Sequence, residues 1–388
     1  MVRGRLAERR KTVGLSQEKL AESLGVDRST VVRWERGAAM PQPWLRPRLA
    51  SALQLTIREL ASLLENAPDL TVATASSRAA GTPAWDGSGI QTMLHFRIAD
   101  LQLGGQFLYE DVLAYLRQAI GPRLFDATDA DAPQLLAAAA GLTEMAGWMA
   151  YDSGLTLLAS RHFNRAFEFA RTSGDRHLGG HILASLSHLA HHDRHPEEGI
   201  RYADRGLSLM SRDDTAPGVR ARLHAMRARG YAALRDPARC DASIDTAERL
   251  LSEPLHRAAS PWPSVFDGGS LALEKARCYR QLGRPTLARV ATASAIAART
   301  PDRVRSRAFA QLTAVSAMID QAEVDEACEA AGKVVSATRS LGSQLVLRQL
   351  AALLPRFAPY AGNRDVAEFL DSLRERLSER HRAPGQAD

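Results

Sequence analysis

The chain has 388 residues, of which 45% are apolar and 24% charged, a length for two to three globular domains and a balance that excludes collagen, a disulfide scaffold and wholesale disorder. Its longest apolar run, Leu135–Leu142, falls far short of the roughly 18 residues of a membrane-spanning helix, and the basic N-terminus lacks the apolar stretch of a signal peptide. The net charge of +6 sits almost wholly in the first sixth of the chain: residues 1–66 hold 12 basic and 7 acidic side chains, whereas the remaining 322 hold 38 and 37.

A small basic head on a near-neutral body points to a polyanion-binding module. The basic residues are 46 Arg and 4 Lys. Arg suits bidentate recognition of phosphate, and the same bias follows from codon choice in a GC-rich genome. Cys240, Cys278 and Cys328 form no CxxC pair and read as buried thiols in a reducing cytoplasm.

Residues 1–66 read as a bundle of about five short helices, and Leu15–Gly37 carries the strongest pattern in the chain. Ser16 caps a helix whose Leu20, Ala21 and Leu24 form an apolar face, with Lys19 where a capping box would place Glu. Gly25 ends that helix where left-handed geometry is easiest. Asp27 then caps a second helix, with Val31 and Trp34 inward and Arg28, Ser29, Thr30 and Arg33 outward. The segment closely resembles the helix-turn-helix of the XRE/Cro-repressor-like family, over residues 3–65 and including Pro41, Leu49, Ala50, Leu53 and Leu60. The resemblance implies that the second helix enters the major groove of double-stranded DNA. It places Arg28, Ser29 and Arg33 at base-facing positions and Thr30 and Arg36 on the DNA backbone. Gln17 falls where the family contacts phosphate and braces the recognition helix, and Arg10 and Glu35 fall on its internal ion-pair positions.

Residues 67–92, rich in Ala, Ser, Thr, Gly and Pro, read as a linker, residues 93–380 as helix after helix with no alternating strand, and residues 381–388 as a frayed tail. Within the helical stretch a grid of small residues recurs. It runs through Gly147, Gly154, Ala159, Phe163 and Ala166, and again through Ala228, Tyr231, Cys240, Ile244 and Ala247. It returns at Ala276, Tyr279, Gly283, Ala288 and Ala295, with weaker copies at Gly199, Ala203 and Gly206 and at Ala327 and Ala331. Equivalent positions 159, 199, 240, 288 and 327 are 40, 41, 48 and 39 apart. Over about 230 residues the pattern resembles tetratricopeptide (TPR) repeats, in which small residues let paired helices approach closely and stacked pairs present a groove lined by their first helices. The expected fold class is all-α: a five-helix helix-turn-helix head plus an α-solenoid of TPR-like helical hairpins.

On that register the groove-facing positions are Glu144, Trp148, Tyr151 and Asp152, then His181, His188, His191 and His192. Arg222 and Arg229 follow from the next repeat, and Arg277 and Arg280 from the one after. Such a groove favours an anionic ligand, a peptide carboxylate among them, with balancing acids on the outer face. His188/His192 and His191/His195 are i, i+4 pairs, a spacing open to metal chelation, to titration near neutrality or to an ordinary polar surface. No cysteine or second ligand-bearing helix accompanies them, and no metal or cofactor is expected. The segment Trp262–Asp267 either covers the groove as a lid or packs on the helices. The chain contains no GxxxxGK[ST], GxGxxG after a strand, HExxH or GxSxG, so no enzyme is expected.

These readings converge on a cytoplasmic, sequence-specific transcriptional regulator that binds a near-palindromic operator as a homodimer. Its TPR-like domain would sense a peptide or small anionic ligand, hold a protein partner, or mediate dimerisation. This organisation resembles peptide-responsive regulators of Gram-positive bacteria, and the Arg-heavy composition points to the actinobacterial type. The alternative from a different class is a TPR interaction adaptor whose helix-turn-helix is a docking module that binds no DNA.

Overall fold

A computed structural model describes residues 5–37, 39–41, 45–55, 59–60, 63–64, 88–210, 216–253, 260–300, 303–339 and 341–382. Among these residues the secondary structure is helical, with no strand. The chain divides into two compact units, Met1–Asp86 with Leu94–Ala99 and Gly87–Met93 with Asp100–Asp388.

The first unit contains α1 (Arg5–Thr12), α2 (Gln17–Leu24), α3 (Arg28–Glu35) and α4 (Arg46–Ala52), and helical backbone recurs at residues 59–60 and 63–64. Leu6, Leu20, Leu24, Val31, Trp34 and Leu53 form its core, joined by Leu60 and Leu64. Burial of these apolar side chains is what holds helices of eight residues or fewer, which are too short to be stable alone. The Ser16 hydroxyl accepts the Lys19 N–H at 3.1 Å. Gly25 closes α2 at φ 70°, and its N–H turns back to the Ala21 and Glu22 carbonyls. Asp27 stands at the N-cap of α3, but its side chain makes no capping bond; the start of α3 rests on backbone geometry, not on the cap expected from the residue type.

Most of the expected linker, residues 67–87, lies outside the described residues. Its last five residues are not linker: α5 spans Ser88–Leu103. The tail beyond Arg382 also lies outside the described residues, whereas the last helix, Arg364–Arg382, runs two residues into the expected tail. In the second unit α6 (Tyr109–Tyr115) and α7 (Gly121–Phe125) are joined through one π-helical turn, Leu116–Ile120.

Five helical hairpins follow among the described residues. They are α8/α9 (Ala132–Asp152, Thr156–Ser173), α10/α11 (Arg176–His192, Pro196–Leu209) and α12/α13 (Pro217–Ala233, Pro237–Ser252). Next come α14/α15 (Gly268–Gln281, Pro285–Ala297) and α16/α17 (Val304–Asp320, Val324–Ala337). Each hairpin turns through three residues whose middle member is left-handed: Gly154, Arg194, Arg235, Gly283 and Ala322. The recurring positions 159, 199, 240, 288 and 327 are each the fourth residue of a second helix, and all are buried. Their smallness permits close helix approach. At Gly147 on the facing helix α8, a Cβ would stand 2.5 Å from the Phe163 ring, inside van der Waals contact. Helices α18 (Gln344–Ala351), α19 (Leu354–Phe357) and α20 (Arg364–Arg382) close the far end, burying Leu350, Phe357, Phe369 and Leu370 with Val334.

A buried ionic clasp ties distant parts of this unit. Arg305 on α16 donates to Asp100 at the end of α5 and, at 3.0 Å, to Asp152 at the end of α8. Asp152 also accepts the Ser343 hydroxyl at 2.6 Å and the Gly105 N–H at 3.1 Å. The array therefore curves until its first hairpin meets its fifth. The three cysteines are buried and unbridged. No helix among the described residues is long and apolar enough to cross a membrane.

Candidate nucleic-acid interface and the inner face of the hairpins

The turn at Gly25 sets α3 across α2, and one carboxylate fixes it there. Glu35 accepts from Arg10 at 2.5 Å and from the Gln17 side-chain amide at 2.6 Å. Arg10 also donates to the Leu15 carbonyl at 2.6 Å. Arg10 and Glu35 are 8% and 7% exposed as side chains, so this ion pair is internal, in the place expected from the sequence. Gln17 is half-buried, and its amide braces α3 through Glu35 while the N-terminus of α2 stays open to solvent.

The opposite side of α3 is polar and open. Arg28, Ser29, Arg33 and Arg36 are exposed, and Thr30 is half-buried. Arg28 rests on Glu18 at 2.9 Å, both side chains being about 60% exposed, a pair that solvent screens and a phosphate can displace. Arg33 and Arg36 have no hydrogen-bond or ion-pair partner among the described residues. Rigid apolar anchoring on one side and unpaired guanidinium groups on the other suit docking against an anionic surface.

In the second unit, the first helices of four successive hairpins share one face lined by polar and aromatic groups. Glu144 on α8 accepts from Trp148 at 2.5 Å and from Ser185 on α10 at 2.8 Å. Arg222 on α12 reaches Ser185 at 3.0 Å and lies 2.8 Å from the His181 ring, which is 1% exposed. His188 packs against Trp148 and Tyr151 and meets Arg229 at 3.1 Å. Desolvation, reinforced by Arg229, Arg277 and Arg222, holds the His188 imidazole well below its ordinary pKa. His192 is exposed and meets the Tyr151 hydroxyl at 3.1 Å. Arg277 donates to Glu274 at 2.7 Å, and Arg229 stands 3.4 Å from the same carboxylate. Arg280 is drawn away to Asp320 at 2.9 Å.

Three expectations change. His191 leaves the row: it donates to the Met226 carbonyl at 2.8 Å and packs against Gly199 and Gly230 between hairpins. At 3.6 residues per turn, positions 181, 188 and 192 fall within about 20° of one line, whereas 191 falls about 80° away. The balancing acids are not confined to the outer face, because Glu274, which the register does not place here, is buried beside the cations along with the expected Glu144. The segment after Ser260 both packs on the helices and covers this face. Trp262 is 5% exposed against Gly141 of α8, and Ser264 meets the His181 ring at 3.2 Å. Pro254 and the rest of residues 254–259 lie outside the described residues. Sequence patterns do not reveal Glu274, Asp100 or Arg305; Glu274 lies one turn before Arg277, the only local signal among them. Among the described residues no group of three His, Cys, Asp or Glu side chains is placed to hold a metal ion.

A family model described as helix-turn-helix matches residues 6–60. An uncharacterized HTH-type transcriptional regulator from Methanothermobacter thermautotrophicus is 46% identical over 48 residues, 12% of this chain and 70% of that protein. The family match lies wholly within the first unit and covers α1 to α4, with the Arg10–Glu35 pair and the exposed side of α3.

Proposed function

We propose, from the premise that the chain belongs through its head to the helix-turn-helix family of transcriptional regulators, that it controls transcription by sequence-specific binding of double-stranded DNA. The observation that carries this reading is the open side of α3, where Arg33 and Arg36 are unpaired and Arg28 and Ser29 are exposed. Arg28, Ser29 and Arg33 read base edges in the major groove, and Thr30 and Arg36 contact the DNA backbone. Gln17 acts mainly as a positioning residue, since its amide holds Glu35. One eight-residue helix spans only a few base pairs, so the operator is near-palindromic and the regulator a homodimer.

The hairpin array is the TPR-like sensor. Its shared face offers Arg222, Arg229, Arg277, His181, His188 and His192 among aromatic rings. Their present acidic partners, Glu144 and Glu274, support a zwitterionic ligand such as a short peptide over a simple anion, because ligand carboxylate and amine can each replace an internal partner. A ligand held there shifts the populations of the array and with them the head spacing. The protein acts in the cytoplasm and catalyses no reaction.

The test is a gel shift of wild type and an Arg28→Ala/Arg33→Ala double variant on the protein's own promoter, run as a salt series. Wild type is expected to bind with an affinity that falls steeply as salt rises. Removing one bidentate Arg–guanine pairing costs about 1–3 kcal/mol. Equal binding by the double variant overturns the assignment of α3. A stable protein partner with no enriched DNA favours the adaptor reading instead.

A further inference from the structure

We infer that the second hairpin carries a separate binding site, on the side away from His181, for a small molecule with a carboxylate and an apolar body. A cavity of about 400 Å³ lies where the end of α9, the start of α10 and the end of α11 meet. That volume falls within the range of small-molecule sites, which combine apolar walls with a few placed polar groups. Phe167, Ala170, Leu183 and Leu209 supply the apolar walls, and Arg171, Arg176 and Arg205 stand among them.

Among the described residues, basic side chains outnumber acidic ones around the cavity. Arg171 is engaged with Glu168 at 2.8 Å. Arg176 is exposed and has no partner among the described residues, and Arg205 is exposed and lies over the Phe167 ring, 4.6 Å from its centroid. Among the described residues Asp175 is the one acid in the lining, and its oxygens accept from the Leu178 N–H and the Ser260 hydroxyl. With Asp175 counted against Arg176 and Arg205, the described lining keeps an excess of positive charge, which favours an anion that brings its own apolar surface. A guanidinium pairs a carboxylate in bidentate fashion, and the apolar tail is stabilised by leaving water.

This site is distinct from the shared inner face. Arg176, Gly179 and Leu183 lie on the side of α10 roughly opposite His181, Ser185 and His188 by helical register. A ligand bound here therefore touches neither α3 nor the inner-face residues.

Isothermal titration of the full chain with decanoate, and with decanol as the neutral analogue, tests it. Wild type is expected to bind decanoate at least tenfold more tightly than decanol. Arg176→Glu/Arg205→Glu, at exposed positions, is expected to lose decanoate binding at least tenfold with decanol unchanged. Ser208→Trp, at the exposed edge of the lining, is expected to weaken both, with thermal melting confirming that each variant is folded. Absence of decanoate binding to wild type overturns the site. Equal affinity for decanoate and decanol overturns its anionic character, and unchanged binding in either variant overturns its location.

Discussion

At the scale of single residues, the head separates two jobs that share one short helix. Glu35 and Arg10 are both nearly buried, and Glu35 holds α1 and α2 against α3. Glu35→Ala leaves the Arg10 charge without its counterion, a loss of about 3–5 kcal/mol for a buried pair, measurable as a fall in the urea midpoint of the head's transition. Arg33→Ala, on the solvent side, is expected to leave that midpoint within about 0.5 kcal/mol while weakening DNA binding. His191 gives a pH signature. Desolvation, helped by Arg229, lowers its pKa to about 3 against the opposing effects of the Met226 carbonyl and Glu274. The unfolded chain thus binds a proton that the folded chain refuses. The stability present above pH 6.5 is lost progressively as pH falls from there toward 3, by about 2 kcal/mol at pH 5 for this one group. Urea unfolding at several pH values should show His191→Gln losing less stability on acidification than wild type. Parallel curves would mean that His191 does not titrate in this way.

At the scale of elements, the hairpins show how far local rules reach. The small residues at 159, 199, 240, 288 and 327 mark the fourth position of every second helix because only small side chains fit where paired helices touch. The turns obey a backbone rule with uneven residue choice. Gly154 and Gly283 take the left-handed position freely, whereas Arg194, Arg235 and Ala322 hold φ near +60° with a Cβ attached. Ala322→Gly relieves that strain at the cost of a looser unfolded chain, for a net gain of up to about 1 kcal/mol, read as a raised thermal midpoint. The same rules place α2, Gly25 and α3 in the head. They do not predict that the Asp27 side chain leaves its cap unused, since that depends on the orientation of one side chain.

At the scale of the whole molecule, closure of the hairpin array depends on groups with no local signature. Arg305 joins residues 205 and 153 positions earlier in the chain. Arg305→Leu leaves Asp100 and Asp152 buried without their cation, and a loss of about 3–5 kcal/mol is expected in urea unfolding of the second unit. An unchanged midpoint would show that the clasp is not needed for closure. The sequence alone determined the all-helical fold, the helix-turn-helix with its inward Trp34 and outward Arg33, the Arg10–Glu35 pair and the five-fold hairpin register. These depend on caps, on 3.6-residue periodicity and on spacing within a few turns, and the pair was legible through the resemblance that those spacings carried. Only the tertiary structure decided which charges meet. Arg222 and Arg229 lie 41 residues beyond His181 and His188, Glu274 stands between Arg229 and Arg277, and Ser264 folds back onto His181. The curvature of the stacked hairpins sets those distances, and curvature accumulates from packing at every interface, so no short segment encodes it.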